Sequence, residues 1–306
     1  MHAVVLTGQA QIAFEERPEP VAGPGEVLIR VGAAGICGTD LHAPAMPSIF
    51  AENVVLGHEF SGTVIRGGPE AGGLEPGQPV VVNPIALSCG SCAACRRGLT
   101  NQCLAALGAC SGVARDGGMA EFVTADQRSI HAVPDGLTVR QAAWTEPLAV
   151  AVRAVAHGGV RPGTTVAVAR ACGAAQAIGP GDGPGGDRLY DVVFDCTGAA
   201  DSFAASLALV VPGGRVVVLG SYPSPISLPG IGREASVVFS SVYRDDREFA
   251  AALRLLARGL IDVAPLTTSV MPLTSYGEAF ASLRDPERAV KVFLDPAAVP
   301  GAEVPV

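Results

Sequence analysis

The sequence predicts an α/β plus β fold class, with a β-rich first part and a parallel α/β part after it. Three observations carry this. Residues 1–135 hold short Val-rich runs (HAVVLT, EVLIRVGAAG, VVLGHEFSGTVI, QPVVVNPIA, AEFVTA) broken by Gly, Pro and Asp turns, the pattern of a barrel-like domain. From residue 164 the order becomes strand (TTVAVA, 164–169), strand (YDVVFDCTG, 190–198), helix (201–211) and strand (GGRVVVLGSY, 213–222). Continuous apolar strands alternating with helix indicate a parallel sheet covered on both faces. Between the two parts, residues 136–158 change period: Ala149, Val152 and Ala156 fit a helix that Gly158 and Gly159 end. DDREFAAALRLLARGLI (245–261) reads as a further helix and AVKVFLDP as a final strand.

Composition narrows the classes. The 306 residues suffice for two domains. Hydrophobic residues make up 49% and aromatics only 5%, so the core must be built from Val, Ala, Leu and Ile. A net charge of −8 argues against a nucleic-acid or anionic-membrane partner and leaves a small-molecule substrate. Of 21 basic residues only Lys291 is a lysine, a bias that reads as genomic and not chemical. The N-terminal segment lacks a basic stretch followed by an apolar core, and no apolar run reaches bilayer length, so a soluble cytoplasmic protein is expected.

Four of the eight cysteines fall in SCGSCAACRRGLTNQC: Cys89, Cys92, Cys95 and Cys103, spaced C-x2-C-x2-C-x7-C. Four closely spaced thiolates suit a tetrahedral Zn²⁺ with no open position, hence a structural one. Disulfides fit poorly without a secretory context, and iron–sulfur ligands use different spacings.

A second constellation is more dispersed. Cys37 lies in GICGTDLH, His58 and Glu59 in VVLGHEFSG, and Glu146 in TEPLAVAV. Thiolate, imidazole and carboxylate make a mixed zinc site with one exchangeable position, which is catalytic by type. Asp40 suits a hydrogen bond from the far nitrogen of His58. Thr39 and His42 suit a proton path to solvent, and Glu59 and Glu146 are further candidates to move a proton. Taken singly, Cys37 reads equally as a small buried residue, His58 as structural, and Glu146 as a helix-start carboxylate.

Together, in this order, GICGTDLH, GHEFSG, the cysteine cluster and EPLAVAV resemble the zinc-dependent medium-chain dehydrogenases, closest to the polyol, threonine and sugar-alcohol branch. The resemblance continues through DVVFDCTGAADSF, VPGGRVVVLGSY and AVKVFLDP. It implies a GroES-like catalytic domain at 1–147 with the structural-zinc lobe at 88–104, a Rossmann-type domain at 148–262, and a return to the catalytic domain at 263–306. It also implies a catalytic zinc on Cys37, His58 and one or both of Glu59 and Glu146, two zinc ions per chain, and a dimer built through the nucleotide-domain sheet.

One part of the pattern is missing. A dinucleotide site opens with strand, glycine turn and helix, then an acidic residue for the ribose. Here TTVAVA runs into Arg170-Ala171-Cys172-Gly173, and the 21 residues from Arg170 to Tyr190 are too few for two crossovers and a strand. The one formal match, Gly181 to Gly186, precedes a strand and contains Pro184. Residues 179–187 are expected to be an irregular loop, with no helix directly after Ala169. From this the sequence reading expects a shortened Rossmann domain, no NAD(P) binding, and Lewis-acid zinc chemistry of the lyase or isomerase type: elimination, isomerisation, aldol-type bond making or cyclisation on a hydroxy-carbonyl. An NAD(P)-dependent alcohol or polyol dehydrogenase is the second reading and a non-catalytic scaffold the third.

Overall fold

β-Branched residues recur through the first strands: β1 (His2–Leu6), β2 (Ile12–Glu16), β3 (Glu26–Gly35), β4 (Val54–Val55), β5 (Glu59–Gly67), β6 (Pro79–Val82), β7 (Phe122–Asp126) and β8 (Ile130–Ala132). The later strands are β9 (Val166–Ala169), β10 (Tyr190–Asp195), β11 (Val210–Val218), β12 (Ser236–Phe239), β13 (Thr267–Pro272) and β14 (Lys291–Asp295). The computed structural model describes residues 1–169, 189–221, 225–226, 234–285 and 288–298. The expectations about 170–188, including the loop at 179–187 and Cys172, lie outside the described residues.

The chain divides into two compact units, Met1–Ala149 with Arg244–Val306, and Val150–Tyr243. In the first unit, β2-β1-β4 form one sheet, and β13-β14-β3-β5-β6-β8 form another with β7 also on β3. The core lies under these sheets: Val4, Val27, Ile29, Leu56, Phe60, Val64, Val80 and Leu294 are all buried. Burial of each such aliphatic or aromatic side chain contributes about 1.5–3 kcal/mol. The second unit is a parallel sheet, β12-β11-β10-β9, with Val192, Val193, Val216 and Val217 inside. Its strands read as continuous apolar runs because both faces need cover. No described helix is long and apolar enough to cross a membrane.

Residues 136–158 differ from a single helical stretch. They form a short helix, Val139–Ala142, and then Thr145–Gly158. Thr138 and Gln141 close a capping box on the first helix. The break falls at Trp144, whose indole N–H donates to Thr267 Oγ1 at 3.1 Å and whose ring packs on Phe293. A tertiary hydrogen bond thus overrides local periodicity and sets where Glu146 starts the second helix.

The helix Asp246–Ala257 buries Phe249, Ala252, Leu253 and Leu256, the i, i+3, i+4, i+7 stripe of an amphipathic helix. Asp245 caps it by accepting from the Arg247 N–H. Asp246 accepts from Asn83 Nδ2 at 3.1 Å and lies 2.7 Å from His131 Nε2. The His131 hydrogen bond holds the Asp246 carboxyl below its usual range, against the opposing effect of burial. A depressed carboxyl contributes stability above its unfolded pKa and loses it as pH falls through the folded value. Asp246→Asn should therefore lower stability near neutral pH by on the order of 1 kcal/mol at most, since the group is half-exposed. Thermal melts should show that deficit shrinking below about pH 4. Equal melting temperatures at neutral pH would show that this contact does not fasten the helix.

Candidate active site

The cysteine lobe follows β6. The sulfurs of Cys89, Cys92, Cys95 and Cys103 all lie within 4.8 Å of one another. Backbone N–H groups point at them: Cys89 N donates to Cys103 Sγ at 3.4 Å, Cys92 N to Cys89 Sγ at 3.4 Å and Cys95 N to Cys92 Sγ at 3.5 Å. The N–H of Ser91 and neighbouring donors pull the Cys89 thiol down to about 6. Burial and the nearby thiols of Cys92 and Cys103 push Cys95 up to about 11. Four sulfurs this close cannot all lose their protons without a cation among them, so the donor set fits a four-sulfur metal site. The lobe is fastened to the unit that contains it, since Asn101 N donates to the Arg244 carbonyl at 3.2 Å and the Thr100 hydroxyl donates to the same oxygen.

The mixed cluster arises from strand register. β3 and β5 run antiparallel with Gly35 opposite Glu59. Cys37, just past the end of β3, therefore comes beside His58 and Glu59 at the start of β5. One ligand atom from each of Cys37, His58 and Glu59 lies within 4.8 Å of the others. Cys37 caps the short helix Gly38–His42, and its N–H donates to Asp40 Oδ2 at 2.8 Å. Gly35 is needed where it stands, because a Cβ there would collide with Glu59 Oε2 and press on Phe293.

Asp40 is fully buried, and its Oδ1 lies 3.7 Å from His58 Nδ1, with neither atom hydrogen-bonded. Two buried orphans facing each other are unusual. A metal on the other imidazole nitrogen would polarise the Nδ1 proton toward Asp40, so the pair fits a metal-bound histidine and its orienting carboxylate. Burial acts to lower the His58 pKa, but Asp40 and Cys37 outweigh it and push it well above the ordinary value. Burial raises Asp40, with His58 opposing.

Glu146 opens the helix Thr145–Gly158 and is 4% exposed. It stands outside the three-atom group, yet its charge acts on His58 and on Lys291. Burial pushes its carboxyl up to about 7, with His58 opposing. Thr39 Oγ1 lies 3.6 Å from Cys37 Sγ, and His42 is exposed at the end of the same short helix.

Two neighbours were not picked out by sequence reasoning. Lys291, on the last strand, reaches Glu59 with its ammonium, and its being the chain's single lysine was the available signal. Cys110 is the other. Burial pushes its thiol up to about 11, and His58, Glu146 and Asp40 are near enough to act on it. Its sequence context held no motif.

In the second unit the carboxyl ends of β10 and β11 pack tightly. Asp195 is fully buried and accepts from Thr197 N at 2.9 Å and Thr197 Oγ1 at 2.7 Å. Gly198 adopts φ 71°, and a Cβ at Gly220 would strike the Gly198 backbone. The carboxyl ends of parallel strands are where open α/β sheets bind ligands.

Comparison with known proteins agrees with this architecture. The alcohol dehydrogenase GroES-like domain matches residues 23–135, and the zinc-binding dehydrogenase domain matches residues 166–258. A sorbitol dehydrogenase from Halalkalibacterium halodurans is 28% identical over 97% of this chain and 99% of its own. A zinc-binding dehydrogenase from Sinorhizobium meliloti, solved bound to NADP, is 27% identical with a TM-score of 0.86, covering 96% of this chain and 99% of that one. A thermostable alcohol dehydrogenase from Pyrobaculum aerophilum, solved with cobalt and zinc, is 28% identical with a TM-score of 0.85 over 97% and 99%. The chain belongs to the zinc-type medium-chain dehydrogenases, with a GroES-like domain and a Rossmann-like domain.

These findings correct the expectation of a zinc enzyme without nicotinamide. Its relatives are dehydrogenases, and a structure matching nearly the whole chain holds NADP. The lyase and isomerase readings, the expected lack of NAD(P) binding and the label of a truncated cofactor domain are set aside. The expectation rested on the missing glycine fingerprint after Ala169 and on the 21 residues from Arg170 to Tyr190. A dinucleotide lies along the carboxyl ends of several strands, and the segment on which the expectation rested lies outside the described residues.

Metal analysis of the purified protein should give about two zinc per chain. Cys92→Ser should remove one of them and lower stability by several kcal/mol, because structural metal binding contributes folding free energy. A Cys92→Ser protein that melts like the parent would rule out a structural role for the lobe's metal.

Proposed function

We propose that this chain is a zinc- and NAD(P)-dependent dehydrogenase that interconverts a secondary alcohol of a polyol or sugar-derived substrate and the corresponding ketone. The observation that carries the reading is the thiol–imidazole–carboxylate cluster of Cys37, His58 and Glu59, in which His58 and Glu59 are buried, with the buried Glu146 acting on it. Its setting supports the cofactor, since the sorbitol dehydrogenase and the NADP-bound dehydrogenase match over nearly their full lengths.

Cys37, His58 and one of the two glutamates would hold the metal, and the four cysteines a second, structural ion. When bound, the catalytic zinc supplies Lewis acidity toward the alcohol oxygen and lowers its pKa. Asp40 orients His58 through Nδ1 and keeps the imidazole in one tautomer. The Thr39 hydroxyl accepts the substrate's proton and passes it toward His42, whose exposed ring gives it to solvent. Thr197, Gly198, Leu219 and Gly220 at the strand ends would hold the nicotinamide, which would supply hydride acceptance when bound. The net charge of −8 supports a small-molecule substrate over nucleic acid, and a cytoplasmic homodimer is part of the same proposal.

Titration with NADH and NADPH, followed by calorimetry, should show saturable binding of at least one. Sorbitol or xylitol with the preferred oxidised cofactor should produce reduced nicotinamide. His58→Ala should reduce that rate by more than the ~10–100-fold typical of losing an outer-shell partner, with the fold kept. Absence of saturable binding of either cofactor, or a fully active His58→Ala enzyme, would defeat the proposal.

A further inference from the structure

The helix Val139–Ala142 and residues 263–267 border a cavity of about 480 Å³ in the first unit, the size of a small-molecule pocket. Gly32 on β3 also lines it. A Cβ there would strike Val139 Cγ1, so glycine at this position lets the helix lie against β3. Val139, Trp144, Val263 and Ala264 supply apolar walls. Among the described residues of the lining Arg140 alone is charged, and Cys37, His58, Glu59 and Glu146 take no part in it.

The other polar groups of the lining already serve the fold. Thr138 and Gln141 close the capping box, with Thr138 Oγ1 2.9 Å from Gln141 Oε1. Thr267 Oγ1 accepts from the Trp144 indole at 3.1 Å and donates to the Val263 carbonyl at 3.3 Å. A polyol placed here would find few partners for its hydroxyls, which is unfavourable. Arg140 differs. A guanidinium carries five N–H donors in a planar fork. Asp295 Oδ2 meets one terminal nitrogen at 3.5 Å, while Asp295 Oδ1 accepts from the Ala297 N–H at 2.9 Å. A five-donor fork can hold Asp295 and a second carboxylate together.

An occupant matched to this lining has an apolar body and one negative charge. We propose that the cavity is a second small-molecule site, which takes an aryl or branched-alkyl monocarboxylate with its carboxylate on Arg140 and its body against Trp144, Val263 and Ala264. The inference stands apart from the dehydrogenase reading. The site is nevertheless one side chain from the metal cluster, since the Trp144 ring lies 5.9 Å from Lys291 Nζ and Glu146 follows two residues later.

Trp144 is the chain's one tryptophan, so its emission reports on this cavity without a label. Titration of the purified holoenzyme with phenylpropionate should change that emission saturably, with a dissociation constant of about 1 mM or below. Phenylpropionamide has the same body without the charge. It should bind about tenfold more weakly or worse, because a charge-assisted hydrogen bond is the stronger one. Arg140→Gln should weaken binding of the acid by about tenfold and leave the amide unchanged. Ala264→Leu, at an exposed position, should fill part of the cavity and weaken both. A signal that survives both substitutions would place the acid at the metal cluster and overturn the inference. Equal affinity for acid and amide would remove the charge from the recognition and overturn it too, as would the absence of any saturable change in the millimolar range. Should Arg140→Gln fail to fold, Ala264→Leu and the comparison of acid with amide decide.

Discussion

The antiparallel pairing of β3 with β5 is the constraint on which the site depends. β3 is the hub of its sheet, pairing with β5, β7 and β14. Its register with β5 sets Gly35 opposite Glu59, and Cys37 follows two residues later. A slip of one residue would turn every side chain of β5 to the other face and separate the thiolate from the imidazole. The same strand receives β14, so Lys291 arrives at the cluster from far along the chain. Core burial that fixes this register, through Val27, Ile29, Val31, Phe60 and Val64, is therefore also what positions the chemistry.

Around that register the charges are balanced in layers. Asp40, Glu59 and Glu146 bring carboxyl groups into a buried space, and Lys291 and His58 oppose their charge. An isolated carboxylate is strongly unfavourable when buried. Asp40 has the Cys37 N–H, and Glu59 has Lys291. Glu146, pushed up to about 7 by burial, is the least compensated of them. The cluster as a whole is arranged for one more positive charge.

The cysteine lobe solves a different problem. It buries few apolar side chains of its own, since Leu99 and Leu104 are exposed, and Cys89 is exposed as well. Backbone N–H groups directed at the sulfurs hold its shape, and Thr100 and Asn101 fasten it to the carbonyl of Arg244. A metal in such a lobe substitutes for the hydrophobic core that the segment lacks.

Much of this was legible in the order of residues. Thiolates at C-x2-C-x2-C-x7-C can close only on one another, and local spacing was enough to say so. The strand runs, the helix Asp246–Ala257 and the family itself also follow from residue patterns, because periodicity and motif are local properties. The cofactor was misjudged from sequence, because binding along several strand ends leaves only part of its signature in any one motif. Three things required the tertiary structure. The helix break at Trp144 depends on Thr267, which lies far away in sequence. The gathering of Cys37, His58 and Glu59 depends on strand register. The pairing of Lys291 with Glu59 spans 232 residues, and no local pattern can encode a contact whose partners meet only once the sheet has formed.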